Sequence, residues 1–540
     1  MPPTSSAAAA ASQPREHTVI ESLQSLIVAF VLAMTFRGFV TEGFVIPTGS
    51  MAPTLLGQHK RLRSEQTGWE YAVGIDPRRP DTTLEGISDP MLGPEFVGSG
   101  TPKRNARTRM GDRILVLKSL YPFSAPHRYD VVVFKNPTNP NGEDGNYIKR
   151  LIGLPSESIW LVDGDVFAAP ADSAEDDTRY AIQRKPEHVQ RAVWRRVTSS
   201  DFFPREPERL DAYYRGVPWQ GARWDTGPQP TYRCDTADPT VLEWDIRARV
   251  IDDWTPYNML VHRAHGPQRV PVGDVRITGA VVPDQTGLDT RFELRTRNHV
   301  FQYRVGNGIA EVRYRSNAYD GTGPEEGWLG PGPIEIDPLP AGRPTALEFW
   351  HVDQAMALYV DGERVTELTY DWSPQVRLEH ATGQMDDAAT LVGLPAATVT
   401  EIRWRFSGSP LSLNHVNVDR DLFYRVDRLN EHARRNPTNP GFESMVASRT
   451  WARGTHPDAR AVLGPDHFFM AGDNSTASSD SRLWGNPHPL VATQIDQTPF
   501  YVHRKLMLGK AWVVYFPAPY SAVDDGRAFI PDFGRLRFIR

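Results

Sequence analysis

The chain has 540 residues, too many for one hydrophobic core, so two or more domains are expected. Its formal charge of -6 and the lack of a Lys/Arg block exclude a polyanion-binding surface, so no nucleic-acid partner is expected. A single cysteine, Cys234, excludes an intramolecular disulfide and any Cys-rich metal site, and 46 prolines favour short strands and loops over long helices.

Residues 1–17 form a low-complexity segment, "MPPTSSAAAAASQP" and its flank, read as a disordered cytoplasmic tail. Residues 18–40 follow with "SLQSLIVAFVLAMTF" at their centre, an uncharged run. About 20 such residues cross a ~30 Å hydrocarbon layer. No small-x-small cleavage site follows it, so a retained transmembrane helix is expected rather than a removed signal. Arg15 and Arg37 flank the run on both sides, and charge bias alone does not orient it.

Directly after the run comes "FVIPTGSMAPTLLG", residues 44–57. Pro47 and Pro53 rule out a helix interior and hold Ser50 in a stiff, extended segment. Residues 60–108 are rich in Arg, Pro and Gly and read as a small insertion. Period-2 alternation in "RILVLK" and "DVVVFK" predicts strands, separated from "NYIKRLIGLP" by the turn cluster "NPTNPNGEDGN". The pentapeptide "NPTNP" returns at 436 as coincidental turn chemistry.

Residues 169–455 read as an inserted region, with a β-sandwich at about 240–425. "VFQYRV-GNG-IAEVRYR" and "AMALYV-DG-ERVTEL" are hairpin patterns, and strand signals recur every ten or so residues. Around "LEFWHVDQAMALYVDGERV" the region resembles concanavalin-like or laminin-G-like jelly rolls. Trp350, Trp372 and Trp404 would bear on glycan binding if exposed, and are read mostly as core. The last block, 456–540, carries "MAGDNSTASSDSRLWG" and the strand "GKAWVVYF".

Chemistry was sought first at Ser50. A serine needs a base to become nucleophilic. No G-x-S-x-G elbow surrounds it, and no H-E-x-x-H zinc motif exists. Lysine is the other candidate base, and Lys149 is flanked by Tyr147, Ile148, Leu151 and Ile152. A lysine with a pKa of ~10.4 is neutral about one time in a thousand at neutral pH; desolvation by about three units would make the free amine common. Arg150 alternates to the opposite face of the strand.

Taken in order behind an apolar anchor, "PTGSMAPTL", "GDRILV", "YDVVVFKNP", "NYIKRLIGLP", "MAGDNSTASSDSRLWG" and "GKAWVVYF" resemble type I signal peptidases, membrane-bound Ser-Lys dyad serine proteases of peptidase family S26. The likeness covers about 215 residues in two blocks, 41–168 and 456–540, around the insertion. It implies a mostly β catalytic domain, with Ser50 as nucleophile and Lys149 as general base. It implies an oxyanion hole from the Ser50 N–H and the Thr48 hydroxyl, and a lysine-orienting Ser478. Asp480 and Arg482 would form a supporting ion pair, and Gly472, Asp473 and Asn474 a structural turn. Phe44, Ile46, Leu55, Tyr147 and Ile148 would wall shallow pockets for small side chains. Ser475, Ser479 and Ser481 are expected to be solvated or capping.

Ser156 stands where the family has glycine, which puts that turn in question. Ser475 stands where it has arginine, removing a charge. The resemblance further implies preprotein substrates with small-x-small sites, a lipid bilayer, single-pass placement in the inner cell membrane with the catalytic domain outside, and no metal or organic cofactor. The inserted domain could take a glycan or protein ligand. The rival reading is a membrane-tethered binding protein whose lectin-like sandwich sits on a vestigial peptidase scaffold.

Overall fold

The computed structural model describes residues 19–76, 87–94, 108–142, 145–210, 214–227, 229–260, 269–317, 327–397, 399–429, 450–521 and 529–540. The tail at 1–17, parts of the 60–108 insertion and the second "NPTNP" lie outside these. The described chain is mostly β.

A helix, α1, spans Val19–Phe39, and its described side chains are exposed, with Leu26 and Leu32 more than 60% so. Among the described residues no helix is long and apolar enough to cross a membrane.

The chain then enters an antiparallel sheet. Its strands are β1 (Thr41–Val45), β2 (Arg113–Leu117), β3 (Val131–Lys135), β4 (Asn146–Gly153), β5 (His467–Ala471), β6 (Val502–His503), β7 (Met507–Phe516) and β8 (Arg537–Phe538). The spatial order is β1-β2-β7-β3-β4-β5-β6, with β8 also paired to β7. β7, from far along the chain, thus wedges between β2 and β3, and β5 closes on β4.

Alternation along each strand supplies two apolar faces. Ile114, Val116, Val131, Val133 and Ile148 pack with Ile46, Met51 and Leu55 on one side. Val132, Phe134, Leu151, Met470 and Trp484 pack on the other. β5 pairs with β4 only from Arg150 to Gly153. Residues 146–149 of β4 are therefore laddered to β3 alone, leaving their other edge open among the named strands.

A second, smaller sheet runs Ala181–Ile182, Asp165–Pro170, Glu157–Val162, Ala461–Val462. In the turn leading into it Ser156 has φ 61°, the left-handed conformation that glycine adopts without steric cost.

Between the two blocks stands a β-sandwich of an eight-stranded and a seven-stranded sheet. Its core is aromatic, with Phe292 stacked on Phe349 at 4.6 Å and Trp404 edge-on to both. Trp350 and Trp404 are buried, and Trp372 is half-buried against Tyr370 and His299. Both hairpins read from the sequence form, turning at Asn307-Gly308 and Asp361-Gly362, all four residues at positive φ. The sandwich begins earlier than 240: Arg195–Ser199 pairs with Leu411–Arg420, and Trp219–Gln220, Trp224–Asp225 and Thr231–Cys234 join the sheets. Such two- to five-residue strands are too short to show alternation.

The sandwich is tied to the small sheet by buried charge. Asp163 and Asp165, beside the small sheet's hairpin, meet Arg377 at 2.9 and 2.7 Å, while Arg297 bridges Asp163 and Asp274 at 2.6 and 2.5 Å.

A candidate Ser-Lys active site

Two segments build the site. The first is the loop after β1. Its backbone is pinned from below, where the Ile46 N–H donates to the Asp112 carbonyl and the Leu56 N–H to the Asp112 carboxylate at 2.8 Å. Ser50 sits at its crest, only 8% exposed. The second is β4, where alternation aims Lys149 to the Tyr147 and Leu151 side and Arg150 to the other. Lys149 Nζ lies 2.6 Å from Ser50 Oγ, so two residues 99 positions apart meet in hydrogen-bonding contact.

The surroundings of that contact are dry. Lys149 is 3% exposed, and its ammonium stands 5.3 Å from the Tyr147 ring centre. Burial pushes its pKa down to about 8; Asp480 and Asp473 oppose the shift and Arg482 assists it. An amine in this range supplies free base near neutral pH, and it already touches a hydroxyl. The pair can therefore take a proton from serine as the oxygen attacks a carbonyl.

Around the dyad lies a shell of fully buried charge pairs. Asp480 accepts from Arg482 Nε at 2.9 Å and Nη2 at 2.8 Å, and from the Gly472 N–H at 2.9 Å. Asp473 takes a bidentate grip from Arg150, Nε and Nη2 each at 2.7 Å, and the Thr54 hydroxyl at 2.5 Å. Both carboxyls are held below their ordinary range by these arginines, against a burial effect that alone would raise them. Each pair ties strand β4 or the loop after β5 to its neighbours without adding net charge beside the lysine.

The remaining sequence-selected residues fall as follows. Gly472 is close-packed: a Cβ there would stand 2.2 Å from Ser478 Oγ and 2.5 Å from the Ser50 carbonyl oxygen. Ser478 is buried, and its hydroxyl makes no hydrogen bond to Lys149; it stands by the Asp480 carboxyl instead and helps to hold that group below its ordinary range. Asn474 donates its N–H to the Ser50 carbonyl and its side-chain amide to the Gly49 carbonyl. Thr48 is exposed at the rim. Ile46, Leu55 and Ile148 are core residues beneath the loop, whereas Phe44 and Tyr147 are half-buried beside it.

Ser475 and Ser481, expected to be solvated or capping, are both buried. Ser475 Oγ accepts from Arg482 Nη1 at 2.7 Å, and Ser481 Oγ from the Met470 N–H at 3.0 Å. A turn-forming composition concealed their place inside the arginine cage.

Sequence reasoning missed three contributors, all from the inserted region. Arg195 Nη2 donates to the Thr54 hydroxyl at 2.9 Å and lies 3.8 Å from Asp473. Tyr257 packs its ring on Gly49, and Asn258 bonds to Asn474. Each stands outside any motif, so no local signal marks them. As for a metal, Asp165, Asp274, Asp353 and Asp421 lie close together and buried, but Lys185 Nζ already stands 2.5 Å from Asp353 and 2.8 Å from Asp421. Lysine and arginine supply the countercharge there.

Over part of its length the chain is similar to known proteins. A family described as signal peptidase, peptidase S26, matches residues 101–202, which include Lys149. Signal peptidase I of Rickettsia bellii (strain OSU 85-389) is 27% identical over 150 residues, 28% of this chain and 39% of that protein. Signal peptidase I of Leptolyngbya laminosa is 28% identical over 172 residues, 31% of this chain and 58% of that protein. That of Pseudomonas aeruginosa is 27% identical over 146 residues, 27% of this chain and 36% of that protein. The chain thus spans less than two thirds of the length of these relatives. Among solved structures, the carbohydrate-binding module CBM66 from Bacillus subtilis covers 38% of this chain and 97% of its own, at 6% identity and a TM-score of 0.22. A likeness of that size assigns no ligand.

Proposed function

We propose that this chain, a type I signal peptidase of family S26 by its catalytic region, is a membrane-anchored endopeptidase that removes N-terminal signal peptides from exported preproteins. The observation that carries the reading is the buried 2.6 Å contact between Ser50 Oγ and Lys149 Nζ.

With substrate bound, the neutral Lys149 amine accepts the Ser50 proton as Oγ adds to the scissile carbonyl. The tetrahedral oxyanion is met by the Ser50 N–H and the Thr48 hydroxyl, donors whose charge–dipole attraction grows only as the oxyanion forms. The lysine ammonium then returns its proton to the departing amine, leaving an acyl ester on Ser50. Water, deprotonated by the same lysine, hydrolyses the ester.

Substrate binds extended, laddering onto the open edge of β4 at residues 146–149. Phe44 and Tyr147 flank that edge, and the core residues Ile46, Leu55 and Ile148 keep the floor shallow, favouring small-x-small sequences.

Placement follows from chain length. A 21-residue α1 is about 30 Å long at ~1.5 Å per residue. Its exposed Leu23, Leu26, Ile27, Val28, Phe30, Val31 and Leu32 face no protein, and a bilayer is the solvent that suits them. Ser50 follows the helix by eleven positions, so extended chain, at most ~3.6 Å per residue, keeps it within about 40 Å of the membrane. The catalytic block then lies on the outer side of the inner membrane, with the chain's N-terminal residues in the cytoplasm.

The test co-expresses the protein with a preprotein carrying an Ala-x-Ala site. The intact protein yields mature product, whereas Ser50→Ala and Lys149→Ala each leave precursor uncut while remaining folded in the membrane fraction. Undiminished processing by either variant removes the assignment.

A further inference from the structure

Within the inserted region, Pro256–Asn258 forms a single 3-10 turn between sandwich strands, with Tyr257 and Asn258 both buried. It reaches out of the sandwich and into the cleft between the two catalytic segments. Asn258 Nδ2 donates to Asn474 Oδ1 at 2.7 Å and to Thr476 Oγ1 at 2.9 Å, and Asn474 Nδ2 returns a bond to Asn258 Oδ1 at 2.8 Å. The two amides thus close a reciprocal pair.

Asn474 has one side-chain N–H left, and it goes to the Gly49 carbonyl at 2.9 Å; its backbone N–H goes to the Ser50 carbonyl at 3.1 Å. Both carbonyls flank the nucleophile's own peptide. Tyr257 closes the loop from the other side. A Cβ on Gly49 would stand 2.0 Å from the Tyr257 ring, and one on Gly74 2.3 Å, so the ring is seated flush against both backbones. Its hydroxyl donates to the Gln58 carbonyl at 3.2 Å, at the far end of the same loop.

We propose that Asn258 and Tyr257 are positioning residues for Ser50, making the inserted region a working part of the peptidase site rather than an appended module. The inference rests on the peptidase reading above and deepens it. Neither side chain touches substrate. Asn258 fixes the plane of the Asn474 side-chain amide, which fixes the Gly49 carbonyl and hence the peptide that carries the Ser50 N–H and aims its hydroxyl, while the Asn474 backbone N–H holds the Ser50 carbonyl. An attacking atom displaced by about 1 Å loses on the order of a hundredfold in rate.

The experiment compares the full-length detergent-solubilised protein with Asn258→Ala, Tyr257→Ala, Asn474→Ala and the Asn258→Ala/Asn474→Ala double variant. It measures cleavage of a fluorogenic peptide with an Ala-x-Ala site, and hydrogen exchange of the 48–53 segment. Asn258→Ala is expected to lower kcat tenfold to a hundredfold with KM within twofold of wild type, and to speed exchange in that segment selectively. The double variant should fall little below the worse single one, because one change already uncouples the other.

Wild-type kcat in a folded Asn258→Ala protein with unchanged exchange overturns the proposal, as do fully multiplicative losses in the double variant. Should Asn258→Ala fail to fold, Tyr257→Ala carries the same expectation and the same refutation. A wild-type protein that cleaves nothing sinks the peptidase reading instead, and the exchange of residues 48–53 then decides by itself whether Asn258 holds the loop.

Discussion

Replacing Lys149 with methionine should abolish cleavage and yet stabilise the protein at neutral pH. The lysine's folded pKa, about 8, lies below the ~10.4 of an exposed lysine. Its folded form therefore releases a proton more readily than the unfolded chain does. The cost of burying the ammonium is fully present below pH 8 and is relieved as pH rises from 8 towards 10.5.

At about 1.4 kcal/mol per unit the cost is about 3 kcal/mol at pH 7, about 2 at pH 9, and less than 0.5 at pH 10.5. Methionine keeps the apolar stem and avoids the cost, but strands the Ser50 hydroxyl without its partner, a loss of about 1–2 kcal/mol. The net gain should be about 1–2 kcal/mol at pH 7 and should reverse to a loss of similar size above pH 10. Urea unfolding of solubilised wild type and Lys149→Met across pH 6 to 10.5 reads this directly. A stability difference independent of pH would refute the claim that desolvation governs this lysine.

The same shift sets the rate profile: kcat/KM should climb about tenfold per pH unit up to an apparent pKa near 8 and then level, as a stopped peptide assay between pH 5.5 and 9.5 will show. Asp473→Asn leaves Arg150 and Arg195 buried against a neutral amide and should cost about 3–5 kcal/mol in urea unfolding. The double change Arg150→Met/Asp473→Leu should cost less, since Arg195 alone is then left without that carboxylate. Gly472→Ala drives a methyl against Ser478 Oγ and the Ser50 carbonyl, and should reduce kcat at least tenfold in the peptide assay while the 2.2 Å approach forces those groups apart.

Much of the site was legible because its chemistry is carried by short stretches with unusual demands. Ser50 is marked by two prolines in seven residues, and Lys149 by apolar neighbours on a period-2 strand. What no local pattern can display is a contact between positions hundreds of residues apart. Arg150 was read only as pointing away from the lysine; its bidentate hold on Asp473 needs β5 laid beside β4. The buried place of Ser475 depends likewise on Arg482 folding back over its own loop, and that of Ser481 on the Met470 N–H of β5.

The serine at 475 stands where the family has an arginine, and the structure brings Arg195 from the insertion to the neighbouring Asp473. Positive charge near that carboxylate is thus supplied by a different element. Ser156 holds a positive φ, a conformation a serine does not favour and a glycine adopts freely. The sandwich's hairpins were visible through Asn-Gly and Asp-Gly turns, but its entry strands were too brief to alternate. Its reading as a separate domain misses the buried arginines and aspartates that fasten it to the small sheet.

The strand order has a consequence for biogenesis. β4 ends at Gly153, while β5 does not begin until His467 and β7, which fills the gap between β2 and β3, ends at Phe516. Ribosomes add about 5–20 residues per second, so roughly 15–60 s pass between synthesis of the lysine strand and of its neighbour. Throughout that interval β2 and β3 lack the strand that joins them, and the nucleophile loop lacks Asn474. A nascent chain therefore carries Ser50 and Lys149 well before the strands and the asparagine that hold them in place, and their surroundings are complete only after the sandwich has been made.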